Sequence, residues 1–162
     1  MHNFVYLPIL IFASLILGCG DTGPEYLMAE ARTAASAPSG LAKAADLFEE
    51  FLQNYPDHVL APEALKELAA ISQQRGGFLD ALSLYSRLIE QFPASEQCDE
   101  AQFMMGFIYE EFLQDYPKAR EAYKRLIEHY PDSELVESAR LLLLHVGRDP
   151  EEWVRFQTDD VE

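Results

Sequence analysis

The residues of this chain able to do chemistry are four histidines, His2, His58, His129 and His145, two cysteines, Cys19 and Cys98, and the adjacent carboxylates Asp99-Glu100 and Glu110-Glu111. A hydrolytic metal site places two histidines one helical turn apart, as in HExxH, and a zinc or redox site pairs cysteines as in CxxC; neither spacing occurs. No nucleophile elbow or glycine-rich phosphate loop is present, and Arg75-Gly76-Gly77 reads as a turn between helices. Neighbours on a helix point about 100° apart, so the carboxylate pairs read as solvated surface rather than as preset metal or acid–base pairs. Cys98 stands beside the first turn of an expected helix, where the dipole favours a thiolate, but no Lys, Arg or His adjoins it; it reads as a spare, partly buried thiol. No catalytic residue, metal site or cofactor is expected, and function is sought in binding.

The ends and the overall charge narrow the setting. The apolar stretch from Phe4 to Leu17 is too short to span a hydrocarbon core of about 30 Å and reads as the central part of a signal peptide over residues 1–18. It runs into Ile16-Leu17-Gly18-Cys19, which resembles the lipobox of bacterial lipoproteins. That resemblance implies cleavage before Cys19, lipidation of its thiol and, with Gly20 rather than aspartate following, attachment to the periplasmic face of the outer membrane. Residues 19–24 then form the lipidated end and a turn-rich tether. In the whole chain of 162 residues, 28 acidic side chains outnumber 12 basic ones, a net charge of −16. Such a surface repels phosphate backbones, so no nucleic acid is expected, and protein partners with basic or apolar segments suit it. A hydrophobic share of 49% supplies a packed core, and two cysteines are too few for a disulfide scaffold.

An internal repeat organises the rest. Tyr55-Pro56, Phe92-Pro93 and Tyr130-Pro131 recur at intervals of 37 and 38 residues. Twelve residues before each proline stands alanine (Ala44, Ala81, Ala119), eight before an aromatic (Phe48, Tyr85, Tyr123), and four before an aliphatic (Leu52, Ile89, Ile127). Eight after each comes alanine again (Ala64, Ala101, Ala139), and twelve after a large apolar residue (Leu68, Met105, Leu143), followed by Ala69, Gly106 or Leu144. Leu84, Tyr85, Leu88, Ile89 and Phe92 share one helical face, which the proline ends. Ser95 and Ser133, two residues past their prolines, are expected N-caps with acidic first turns behind them. Each unit is therefore a pair of amphipathic helices that must stack on its neighbours to bury its face.

The pattern resembles the tetratricopeptide repeat: Ala44, Phe48 and Pro56 and their two later counterparts match the second helix, while Leu68-Ala69, Met105-Gly106 and Tyr109 match the first. Phe51, Leu88 and Leu126 stand where that family usually has a second alanine. The endings Phe92-Pro93-Ala94-Ser95 and Tyr130-Pro131-Asp132-Ser133 resemble the repeats of two bacterial envelope families, the BamD lipoproteins of outer-membrane β-barrel assembly and the repeat protein of the Tol-Pal system. The resemblance implies an all-α, right-handed solenoid over residues 25–148. Helices are expected near 25–35, 41–54, 60–74, 78–91, 96–112, 117–129 and 133–146. A short eighth turn opens at Asp149-Pro150, with Trp153 capping the stack, and residues 149–162 end in an acidic, frayed tail. It further implies a concave groove lined by Glu63, Lys66, Gln73 and Gln74, then Glu100, Phe103, Phe107, Glu110 and Glu111, then Leu141, His145 and Arg148. Phe103 and Phe107 would be an apolar anchor, with Glu110 and Glu111 as acidic clamps for a basic, hydrophobic peptide. The expected function is a lipid-anchored periplasmic scaffold for envelope assembly. A Tol-Pal or cell-division adaptor, a secreted soluble adaptor and a lipid-anchored enzyme accessory stand as alternatives.

Overall fold

The computed structural model describes residues 23–148; the expected signal peptide, Cys19 and the expected turn at Asp149–Trp153 lie outside them. Seven α-helices follow one another among the described residues: α1 (Pro24–Ala35), α2 (Leu41–Asn54), α3 (Ala61–Gln74), α4 (Phe78–Gln91), α5 (Cys98–Phe107), α6 (Tyr116–His129) and α7 (Val136–His145), with a π-helical turn at Ile108–Phe112. Each helix packs against the next in the chain, so α1/α2, α3/α4 and α5/α6 are three hairpins and α7 opens a fourth.

The three aromatic-proline steps share one geometry. A residue before proline is pushed out of the helical region, because the proline ring collides with its backbone. Tyr55 (φ −134, ψ 55), Phe92 (φ −129, ψ 56) and Tyr130 (φ −128, ψ 57) end α2, α4 and α6 in the same conformation. The chain then makes two short turns before the next helix: Ser95 N–H donates to Phe92 O and Cys98 N–H to Ser95 O, and the same bonds recur at His58 and Ser133. Because of this second turn, Ser95 and Ser133 are not the helix caps expected of them. The capping positions are Gln97 and Leu135, without side-chain cap bonds. The serines sit one step earlier and accept the backbone N–H of Gln97 at 3.3 Å and Leu135 at 3.1 Å, as His58 Nδ1 accepts that of Leu60 at 3.2 Å.

Every repeat alanine named above is sealed from solvent, as are Phe48, Tyr85 and Tyr123. The larger Phe51, Leu88 and Leu126 are equally sealed and fill the space between successive hairpins. One core runs from α1 to α5 and a second joins α6 and α7; the partly buried Tyr109 packs against both, with Lys118 Nζ 5.3 Å from its ring centre. Cys98 is fully rather than partly buried. Its thiol donates to Phe92 O at 3.1 Å, and burial, more than any other influence, pushes its pKa up rather than down.

The unequal repeat intervals have a structural cause. The first helix of the third hairpin was expected to run unbroken to 112, but the turn at Ile108–Phe112 widens, with Leu113 N–H bonded to Ile108 O five residues back. A π turn accommodates one additional residue within a helix. Gln114 then takes the left-handed conformation (φ 52) that Gly76 (φ 81) takes in the preceding unit. Gly106 lies against the Tyr123 ring so closely that a Cβ there would stand 2.5 Å from Cε1. Gly106→Ala is expected to lower stability by about 1–3 kcal/mol through overpacking. Gln114→Gly is expected to raise it by about 1 kcal/mol by relieving the left-handed strain; urea denaturation of each variant measures both.

Candidate functional site

The first helices of the hairpins stand side by side, and their facing side chains are joined across the repeats. Arg32 of α1 pairs with Glu63 of α3 (Nε to Oε1 2.8 Å), and Lys66 of α3 pairs with Glu100 of α5 at 2.9 Å. Burial opposes the Lys66 ammonium, but the Glu100 hydrogen bond and the charges of Glu100, Glu67 and Glu63 outweigh it, leaving its pKa above the ordinary lysine value. Ser133, leading into α7, donates to Asp99 of α5 at 2.6 Å. The expected groove residues Lys66 and Glu100, together with Glu63, are thus brought together as each other's or α1's partners.

The expected anchor and clamps divide. Phe103 turns toward Tyr123, ring centres 5.7 Å apart, and packs on the second core. Glu110 accepts the Tyr123 hydroxyl at 2.9 Å, so it holds α6 rather than standing free as a clamp. Burial raises the Glu110 pKa most, against the lowering effect of that hydroxyl, and the neighbouring Glu111 raises it further. Burial and the same carboxylate push Tyr123 far above the ordinary phenol range. Burial, with the charges of Glu100 and Glu67, pushes Tyr85 up to about 12. Gln73 and His145 are partly buried, and the Gln73 Oε1 is shut from solvent without a donor. Gln74, Glu111, Leu141 and Arg148 are exposed.

Phe107 departs from this inward-turned set. Its ring meets Phe112 edge-on at 5.8 Å, and Phe112 stacks on Phe78 of α4 at 4.2 Å with an 18° tilt. Phe112 remains 45% exposed, and Leu79 beside Phe78 remains 72% exposed. Neither Phe78 nor Phe112 was expected at a binding surface. They belong to different units, and it is the π turn that carries Phe112 onto Phe78. The readable signal was Phe78 and Leu79 at the start of one expected helix and Phe107 and Phe112 toward the end of the next.

Residues 100–133, covering most of α5, the π turn and α6, match the model of the tetratricopeptide repeat family. The Sgt2 TPR domain from Aspergillus fumigatus superposes with a TM-score of 0.60, at 24% identity over 82% of this chain and 82% of that one. The fold is a tetratricopeptide-repeat solenoid. A tetratricopeptide repeat protein from Parabacteroides merdae gives a TM-score of 0.40 at 16% identity, over 74% of this chain and 58% of that one. No curated protein matches by sequence. Among the described residues of this solenoid, no three His, Cys, Asp or Glu side chains converge to hold a metal ion, and no helix is long and apolar enough to cross a membrane.

The Glu110 shift has a testable sign. Its pKa is raised in the folded state, so folding takes up protons there, and stability from this group grows as pH falls from the raised value toward the ordinary carboxylate range. The ionised form is therefore the costly one at neutral pH. Glu110→Gln keeps an acceptor for Tyr123 and is expected to melt above the parent at pH 7, the difference vanishing once both carboxyl states are protonated in acid; thermal melts across pH check it.

Proposed function

We propose that the protein is a lipid-anchored scaffold of the bacterial envelope that holds segments of other proteins on its first-helix surface and carries out no reaction. The observation that carries this reading is the Phe78–Phe107–Phe112 cluster. Its rings are partly uncovered, while the expected groove side chains Lys66, Glu100 and Glu63 are occupied in ion pairs, Lys66 with Glu100 and Glu63 with Arg32. Clustered aromatics with an acidic rim, here exposed Glu111, suit an apolar segment with basic flanks. The lipobox-like Ile16-Leu17-Gly18-Cys19 and the repeat endings that resemble BamD and the Tol-Pal repeat protein favour an outer-membrane site facing the periplasm.

Two experiments test it. A photocrosslinking residue at Phe107 or Phe112 in living cells is expected to capture an envelope-assembly or Tol-Pal component, and Phe107→Ala to weaken that complex by about 1–2 kcal/mol, roughly fivefold to thirtyfold. Capture of nothing by a folded, correctly placed protein would remove the surface assignment. Cys19→Ser is expected to release the protein from the membrane fraction, and unchanged fractionation would overturn the lipid anchor.

A further inference from the structure

A cavity of about 690 Å³ opens between α2, the end of α3 and α4, and none of Phe78, Phe107 and Phe112 lines it. Its size falls in the range of small-molecule sites, about 300–1,000 Å³. Leu52, Leu68 and Leu84 give it an apolar floor. The equivalent space in the following unit, lined by Met105 and Tyr109 among others, measures about 180 Å³. Tyr109 stands as far past Pro93 as Ser72 stands past Pro56, and Lys118 Nζ lies 5.3 Å from its ring centre. With serine at that position, the room of a tyrosine ring is left open.

The charges of this cavity differ from those elsewhere on the chain. Arg32, Lys43, Lys66, Lys118, Arg125 and Arg140 are each paired with a carboxylate. Arg125 holds in α6 the repeat position that Arg87 holds in α4, and it pairs with Glu121 at 3.0 Å; Ser83 stands where α4 would need that glutamate. The partly buried Arg87 donates from Nε to Gln91 Oε1 at 3.0 Å, and among the described residues neither of its terminal amino groups meets an acceptor. Those groups form a fork that fits an oxyanion through two parallel hydrogen bonds. Arg75, exposed at the end of α3, lines the same cavity and pairs with no carboxylate among the described residues. Two carboxylates share the lining, Glu49 and Asp80, and both are exposed. Asp80 stands in the first turn of α4, where the helix dipole favours an anion. Of the four charged side chains only Arg87 is partly buried, so the interior of the cavity is cationic.

We propose that this cavity is a binding site for a small molecule with an oxyanion head, a carboxylate or a phosphate, on an apolar body. The Arg87 fork grips the head, Arg75 adds a second positive charge, and the body lies on Leu52, Leu68 and Leu84. The site is separate from the aromatic cluster offered to protein segments, and the inference does not depend on the scaffold reading.

Calorimetric titration of the full chain with hexanoate, hexyl phosphate and hexylamine tests it. Saturable one-to-one binding of the two anions is expected, the tighter one naming the head group, with hexylamine bound at least tenfold more weakly. Arg87→Gln is expected to weaken the anions about tenfold or more. Ser72→Tyr, which restores the ring that Tyr109 supplies in the next unit, is expected to abolish binding with unchanged far-ultraviolet circular dichroism, while Arg140→Gln, at an exposed arginine of α7, leaves it as it was. If Ser72→Tyr fails to fold, Arg87→Gln decides. Binding of neither anion would overturn the proposal. So would hexylamine bound as tightly as the anions, which would make Glu49 and Asp80 the recognising groups, or anion binding indifferent to Arg87→Gln.

Discussion

The structure depends on a steric rule applied three times: a residue before proline leaves the helix. Tyr55, Phe92 and Tyr130 stop in nearly the same backbone conformation, so α3, α5 and α7 each leave the preceding helix in the same direction. A stack needs this sameness, because each hairpin buries its apolar face only if the next one arrives at the right angle. The backbone supplies it through paired turns at His58, Ser95 and Ser133, with a side-chain acceptor at each.

Within that frame, packing is a matter of small residues meeting large rings. The alanines on both sides of each proline are fully buried, and Gly106 lets Tyr123 approach closer than any Cβ would allow. The extra residue of the third unit would shift Tyr123 off this seat if the helix ran on regularly. The π turn absorbs it, and Gln114 restores the turn that Gly76 makes earlier. A consequence of that accommodation is the displacement of Phe112 onto Phe78, so the exposed aromatic edge arises from the same irregularity that preserves the core.

Electrostatics separates structural from available side chains. A chain of net charge −16 has few cations, and two of them, Arg32 and Lys66, are used to bridge adjacent first helices through Glu63 and Glu100. These bridges are partly exposed, so each contributes modestly, but they withdraw four side chains from the surface left to a partner. Glu110, half-buried and accepting from the Tyr123 hydroxyl, is withdrawn too. What stays open is apolar at its centre and acidic at its rim.

The seven helices among the described residues, the spacing of the hairpins and the buried positions Ala44, Phe48, Ala64 and their counterparts were legible in the amino-acid sequence, because proline, alanine and aromatic side chains impose their effects locally and recur. The intervals of 37 and 38 residues also announced an extra residue. Its place as a π turn was not legible, since widening a helix costs little and is chosen by the fit of Tyr123 on Gly106, a contact across 17 residues of chain. The groove was legible as a set of positions and not as a set of roles. The resemblance to the tetratricopeptide repeat placed Lys66, Glu100, Phe103, Phe107 and Glu110 along one groove. Whether such a side chain pairs, packs or remains open is decided by distances between helices far apart in sequence, and only the tertiary structure sets those.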